Sequence, residues 1–173
     1  MDRIWSPWRS EYVSTANDRV DGREGVSIFT ALQEDGTKND ADAEHLILWR
    51  GEHVFVIMNL YPYNNGHLLI VPFRQVASYV DLTRDEQHAM AEVVDRCMAW
   101  LTDALDPEGF NVGLNIGRAA GAGVPDHLHM HVVPRWSGDT NFMPVTGETK
   151  VLPESLRQTY EKLAAAIRED GDA

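Results

Sequence analysis

Histidine and apolar residues alternate strictly in one short segment late in the chain, His127-Leu128-His129-Met130-His131-Val132. Successive side chains of a β-strand point to opposite faces. The alternation therefore predicts a strand over residues 127–134 that carries three imidazoles on one face and apolar side chains on the other. A core strand has little use for three polar rings, because each buried ring needs a hydrogen-bond partner. The segment indicates a functional face of the sheet.

Two kinds of site use imidazoles in this way, and the spacing alone does not separate them. One is a transition-metal site, since imidazole is the commonest ligand of such metals. The other is a nucleophilic histidine supported by its neighbours. The flanking residues favour the nucleophile: the small residues Gly121 to Gly123 precede the triad and are suited to offer backbone N–H groups to an anion. We find no second cluster of Cys, Asp or Glu at ligand spacing in the sequence.

Length and charge narrow the class of protein. A chain of 173 residues is the usual size of one domain. We predict a single domain over residues 1–173, with an N-terminal arm and loops (1–43), a core (44–145) and a C-terminal helix (146–173). The formal net charge of −12 disfavours binding to nucleic acid or to an anionic membrane, because both need a basic surface. No segment is typical of a membrane span or signal peptide. We expect a cytoplasmic protein.

Hydrophobic patterning predicts the secondary structure. A capping box that begins at Thr83 predicts a long helix ending near Asp106. Its apolar stripe includes Cys97, which we expect to be a packed core thiol. A second helix is expected from about Pro153. Five strands are predicted from their β-branched and apolar content: 45–49, 53–59, 66–71, 110–117 and 127–134. Strands joined by hairpin-length links around one long helix favour an α+β fold with an antiparallel sheet.

The triad segment resembles the signature of the histidine-triad (HIT) superfamily. Residues 59–72, 110–117 and 134–142 are similar to other conserved blocks of that family, and Trp5 to Arg9 and Lys150 to Pro153 match its ends. The resemblance covers nearly the whole chain, and it is greatest to the bacterial diadenosine tetraphosphate phosphorylase-like branch. It implies a HIT-like fold in which the long helix crosses one face of a sheet of about five strands, with the triad strand near the centre.

The resemblance also implies catalytic roles. His129 would attack the α-phosphate of a nucleotide and form a covalent nucleotidyl-histidine, while His127 and His131 would hydrogen-bond the phosphate oxygens. The residues expected to bind substrate are Asn59 at the ribose, Asn115 and the backbone of Ala122 and Gly123 at the phosphates, Trp136 near the substrate, and His67, which would orient its turn.

Three departures from the family pattern limit what the resemblance implies. Gly123 and Val124 stand where relatives carry polar side chains that serve the leaving group, so the acceptor, inorganic phosphate or water, stays open. Ser27 and Thr30 stand where many relatives have a Cys-x-x-Cys zinc pair. We therefore predict no structural zinc and no cofactor. The third histidine of the triad is present as His131. The galactose-1-phosphate uridylyltransferase branch has Gln at this position, so His131 argues against that branch.

These residues together predict a nucleotidyl transferase or hydrolase with a small-molecule nucleotide substrate, of the dinucleoside polyphosphate type or a nucleotide conjugate. The resemblance implies a homodimer, to which Trp5, Trp8 and the long helix would contribute apolar surface. Two alternatives stay open. One is a HIT-type nucleotide-binding protein without useful catalysis, or a phosphoramidate hydrolase of other specificity. The other is a metal-dependent hydrolase with three histidine ligands.

Overall fold

The computed structural model of the chain describes residues 25–139 and 154–171. Within these ranges it contains three α-helices and five strands. In chain order they are α1 (Ile28–Asn39), β1 (Ile47–Arg50), β2 (Val54–Met58), β3 (Leu68–Pro72), α2 (Arg84–Leu105), β4 (Gly109–Leu114), β5 (Met130–Arg135) and α3 (Leu156–Gly171). Trp5 and Trp8, with their predicted packing or dimer contacts, lie outside the described residues.

The five strands form one sheet in the order β1-β2-β3-β5-β4. Each neighbouring pair is antiparallel. The triad strand β5 lies between the central strand β3 and the edge strand β4. The predicted α+β fold with an antiparallel sheet is therefore confirmed.

Both faces of the sheet are covered by helices. Helices α2 and α3 pack on one face, over a core that includes Val56, Ile70 and Val132. On the opposite face, Phe29 of α1 packs in a smaller cluster whose other buried members are Ile47, Phe55, Ile57, Leu69 and Val71. Because both faces are buried, β2 and β3 are apolar at every position rather than alternating.

Helix α2 begins and ends as the sequence predicts. The Thr83 hydroxyl accepts the Glu86 amide, and the Glu86 carboxylate accepts the Thr83 amide, which completes the capping box. The helix ends at Leu105, and its C-cap Asp106 has a left-handed backbone and donates its N–H to Thr102 O. Cys97 is fully buried in the core, and burial raises the pKa of its thiol far above the ordinary value. The predicted packed thiol is confirmed.

The boundaries of the triad strand differ from the prediction. β5 begins at Met130 rather than His127, because the Leu128 amide donates to Val76 O at 2.6 Å and so pairs with a loop instead of a strand. Pairing of β5 with β3 accordingly starts at Ile70 and Met130. β4 likewise ends at Leu114 rather than Gly117. Across residues 25–139 and 154–171, no helix combines the length and apolarity that crossing a membrane requires.

Candidate active site

The three histidines cluster on the face of the sheet that α1 covers. Phe29 of α1 contacts the rings of His127 and His129, with centroids 5.6 and 5.1 Å apart, respectively. The His129 and His131 centroids are 5.0 Å apart. Leu128 packs in the core on the opposite face. The alternation predicted from the sequence therefore holds, although only His131 belongs to the regular strand.

His129 is held as a neutral ring with one nitrogen defined as a base. Its Nδ1 lies 2.8 Å from the main-chain oxygen of His127. A carbonyl oxygen only accepts, so Nδ1 carries the proton and Nε2 keeps a lone pair. The side chain is buried, and that burial lowers its pKa below the ordinary value. At neutral pH His129 therefore presents an unprotonated Nε2, as a nucleophile requires.

His127 has a protein partner at each ring nitrogen. Its Nε2 donates to Pro72 O at 2.8 Å, and its Nδ1 lies 2.5 Å from the Ser27 hydroxyl. The ring is fully buried, and burial lowers its pKa to about 4. Both nitrogens are engaged, so the phosphate contact expected from the sequence would require one of them to be released. The main-chain carbonyl of His127 accepts from His129.

His131 is oriented by a second buried histidine. The Tyr63 amide donates to His67 Nδ1 at 3.0 Å, so the proton of the His67 ring is on Nε2. That Nε2 lies 2.9 Å from Nδ1 of His131 and donates to it. The neutral His131 ring must then carry its own proton on Nε2. His67 is thus more than the turn residue that the sequence predicts, since it also sets the tautomer of His131.

An open cleft of about 330 Å³ adjoins His131 on the side of β4. Asn115 Nδ2 lies 3.3 Å from His131 Nε2. Because Nε2 carries the proton, the amide has to be turned over so that its oxygen accepts from the ring. Gly113 is directly opposite His131 in the β4–β5 ladder, and the absence of a side chain there keeps the cleft open. Tyr63 and Arg135 also line the cleft. Asn115 thus lies beside His131, and its role at the phosphates stays a prediction.

The other residues expected to bind substrate are held by hydrogen bonds in three separate places. Asn59 follows β2, and its amide nitrogen is 3.3 Å from His67 Nδ1, which places it one side chain away from His131. The Ala122 amide donates to Gly117 O within the loop that leads to the triad, and Gly123 follows in the same loop. The Trp136 indole donates to Asp106 O, which attaches that ring to the end of α2.

Sequence reasoning missed two connections in this site. Ser27 and Phe29, on α1 and its cap, contact histidines that lie about a hundred residues further along the chain. The sequence did single out Ser27, because Ser27 stands at one position of the Cys-x-x-Cys zinc pair of many relatives. Among residues 25–139 and 154–171, no three His, Cys, Asp or Glu side chains are grouped to hold a metal ion. Both ring nitrogens of His127 bond to protein groups, Ser27 and Pro72, which argues against the alternative with three histidine ligands.

Comparison with known proteins gives consistent matches. Residues 40–138 match the family model of the HIT domain. The chain is 40% identical to the AP-4-A phosphorylase of Mycobacterium tuberculosis, over 95% of this chain and 83% of the relative. An uncharacterised HIT-like protein of Saccharolobus solfataricus is 29% identical over 71% of this chain and 86% of its own length.

Solved structures show the same fold. A hypothetical histidine triad nucleotide-binding protein from Sulfolobus tokodaii superposes with a TM-score of 0.61 at 29% identity, covering 80% of this chain and 89% of that one. A zinc-bound histidine triad family protein from Mycobacterium smegmatis superposes with a TM-score of 0.65 at 24% identity, covering 84% and 95%. At that identity the second match supports the fold alone.

Proposed function

This chain belongs to the HIT domain family, and from that premise we propose that it is an enzyme that transfers a nucleotidyl group from a dinucleoside polyphosphate through His129. The similarity to a protein named AP-4-A phosphorylase supports a substrate of the diadenosine tetraphosphate type. The observation that carries the proposal is the hydrogen bond from His129 Nδ1 to the His127 carbonyl. It leaves Nε2 of a buried, neutral imidazole as the attacking atom.

The reaction would proceed in two displacements. His129 Nε2 attacks the α-phosphorus, a P–N bond forms, and the P–O bond to the leaving nucleotide breaks. The His129 ring is then positively charged. Its Nδ1–H still donates to the His127 carbonyl oxygen, which stabilises that charge. The acceptor oxygen then attacks phosphorus in line, the P–N bond breaks, the proton of the acceptor passes to solvent, and the neutral His129 ring returns. Both steps need only positioning and stabilisation of phosphoryl charge.

Several groups are proposed to stabilise and position the nucleotide. The Nε2–H of His131, on leaving Asn115, and the NH₂ group of Asn115 are proposed to donate to phosphate oxygens, and Asn59 is proposed to bind the ribose. The backbone of Ala122 and Gly123 would complete the phosphate site, which requires the Ala122 amide to leave Gly117 O. Contact between Trp136 and substrate stays a prediction, because its indole bonds to the end of α2.

Product analysis tests the function and identifies the acceptor. The protein is incubated with diadenosine tetraphosphate, with and without inorganic phosphate, and the nucleotides are separated. ADP plus ATP formed only with phosphate identifies a phosphorylase, whereas AMP plus ATP without phosphate identifies a hydrolase. The name of the mycobacterial relative favours phosphate. If the protein binds AMP but converts neither this substrate nor a panel of adenosine conjugates, it is a nucleotide-binding protein and the proposal fails.

We also propose that the protein acts as a homodimer. Helix α2 is already covered in part by α3, so it offers less free apolar surface than its sequence suggests. The sheet supplies a different surface. β4 ends the strand order, and Val112 and Ile116 on and beside it are 44% and 43% exposed. An apolar edge strand favours pairing with another copy.

A further inference from the structure

Three polar side chains from two parts of the chain cluster around the buried ring of His127. Ser27 and Thr30 come from the start of α1, and Gln75 comes from the loop after β3. We propose that Ser27 is a positioning residue for the nucleophile, holding His127 so that its carbonyl fixes the tautomer of His129. This inference deepens the proposed function and rests on it.

The donors and acceptors in this cluster can be assigned from the backbone groups, because an N–H only donates and a carbonyl oxygen only accepts. The Ser27 amide can only donate, and it donates to Gln75 Oε1 at 2.8 Å. The amide nitrogen of Gln75 then donates to Gly25 O at 3.1 Å. The Thr30 hydroxyl donates to the same Gln75 oxygen at 3.3 Å. With the proton of Thr30 used in this way, the Ser27 hydroxyl is the donor to His127.

The opposite side of the His127 ring agrees with this assignment. Pro72 O is an acceptor, so His127 Nε2 carries the proton and Nδ1 needs a donor. The Ser27 hydroxyl is 2.5 Å from that Nδ1. The Ser27 oxygen in turn accepts the Thr30 amide at 3.1 Å, which is the N-cap bond of α1. A single hydroxyl thus links the first turn of α1 to the histidine.

The anchored ring matters because the main chain of His127 has little other support. The residue precedes β5, and its amide makes a 3.4 Å bond to Val124 O. Its carbonyl nevertheless has to point at His129 Nδ1, 2.8 Å away. Bonds to Ser27 and Pro72 on the two sides of the ring fix the position of the whole residue. Loss of the Ser27 donor would leave His127 Nδ1 with only the Thr30 hydroxyl, 3.5 Å away, and so weaken this constraint.

The test separates positioning from helix capping, because Ser27 does both. Ser27→Ala removes the donor to His127 and the cap of α1. The matched control Thr83→Ala removes the cap of α2, a helix that packs on the face of the sheet opposite the histidines. Ser27→Thr keeps a hydroxyl in place and is the rescue variant. Gln75→Leu leaves the α1 cap intact, and it keeps the inference testable if Ser27→Ala does not fold.

Two readouts are measured on each protein: steady-state kinetics with diadenosine tetraphosphate, and the imidazole ¹⁵N shifts of His127 and His129. Ser27→Ala should lower kcat by about 10- to 100-fold, by analogy with the loss of a partner that orients a metal-bound histidine. KM should change by less than about twofold, because the groups proposed to bind nucleotide are untouched. The His129 nitrogens should shift toward a mixture of tautomers. Gln75→Leu should show the same changes in weaker form, whereas Thr83→Ala and Ser27→Thr should resemble the original protein.

Wild-type kcat and unchanged His129 shifts in folded Ser27→Ala would overturn the inference, and so would the same result in Gln75→Leu if the first variant does not fold. Equal losses of kcat in Ser27→Ala and Thr83→Ala would assign Ser27 a capping role only. If no protein in the set turns over the substrate, the proposed function fails. The ¹⁵N shifts still report whether Ser27 fixes the His129 tautomer, so the two failures are distinguishable.

Discussion

His67 and His131 are joined ring to ring, with Nε2 of His67 lying 2.9 Å from Nδ1 of His131. The Tyr63 ring packs against both, at centroid distances of 4.7 and 5.7 Å. His67 is fully buried, and its other nitrogen accepts the Tyr63 amide. A residue outside the triad thus determines which nitrogen of His131 carries a proton toward the cleft. The site is better described as four linked histidines than as three.

Removing this link should slow the reaction. His67→Phe keeps an aromatic ring against Tyr63 but removes the donor to His131, so His131 can adopt the tautomer that lacks a proton on Nε2. We expect kcat to fall by about 10- to 100-fold with a smaller change in KM. Steady-state kinetics with diadenosine tetraphosphate measure both. His88→Phe, on the exposed side of α2, is the matched control. Unchanged kcat in His67→Phe would show that the link has no role in turnover.

The elements that follow from local sequence were predicted well. The capping box at Thr83 and the five apolar segments depend on residues close together in the chain. The capping box begins a helix in the structure, and each apolar segment contains a strand. The triad face was also predictable, because alternation is a local property. The start of β5 was not, since it depends on the bond between Leu128 and the distant Val76.

The missing parts of the site are long-range contacts. Ser27 and His127 are a hundred positions apart, and no periodicity specifies that the start of α1 lies against the triad. The link from His67 to His131 joins β3 to β5 through the ladder, where Leu69 is opposite His131. A correct prediction that β3 and β5 are neighbours would have placed the His67 and His131 rings close together. It would not have given the tautomers, which depend on the Tyr63 amide and the Pro72 carbonyl.

Burial of His127 predicts a pH-dependent stability. Its pKa is about 4 in the folded protein, compared with 6.5 when exposed, so the unfolded chain binds the proton more readily between these values. Stability is therefore full above pH 6.5 and falls as the pH drops toward 4, by about 3 kcal/mol. Urea unfolding at several pH values measures the slope. His127→Asn should flatten it, and an equal slope in both proteins would contradict the assignment.

Gly66 should resist substitution because of the turn that leads into His67. Its φ is +74°, and a Cβ there would lie 2.6 Å from Leu105 Cδ1 and 2.9 Å from Leu101 Cδ2 of α2. We expect Gly66→Ala to destabilise the protein by about 1–3 kcal/mol in urea unfolding. Gly113→Ala is the control, since a Cβ there meets no atom within 4 Å. Similar stabilities for the two variants would show that the turn relaxes without cost.

The proposed dimer should depend on the exposed edge of the sheet. Sedimentation at micromolar concentration should give twice the mass of the chain. Val112→Lys places a charge on the edge strand β4 and should shift the protein toward monomer. Val80→Lys, at a position that is 83% exposed and away from the sheet, should leave the mass unchanged. A clean monomer of the unmodified protein would refute the dimer, and an unaffected Val112→Lys dimer would place the interface elsewhere.

The last prediction separates the nucleophile from its neighbour. His129→Asn removes the attacking Nε2, so turnover and formation of the nucleotidyl-enzyme should both vanish, while nucleotide binding holds because an amide of similar volume remains. His131→Asn removes a group that only stabilises charge, and it should leave activity reduced by about 10²- to 10³-fold. Both variants should fold, since Leu128 and Val132 keep the core face of the segment intact. Quenched-flow labelling with radioactive substrate, stopped in alkali to preserve the P–N bond, detects the covalent species. Label retained on His129→Asn at the wild-type level would mean that another residue attacks phosphorus, and loss of all activity in His131→Asn would give that ring an essential part in the chemistry.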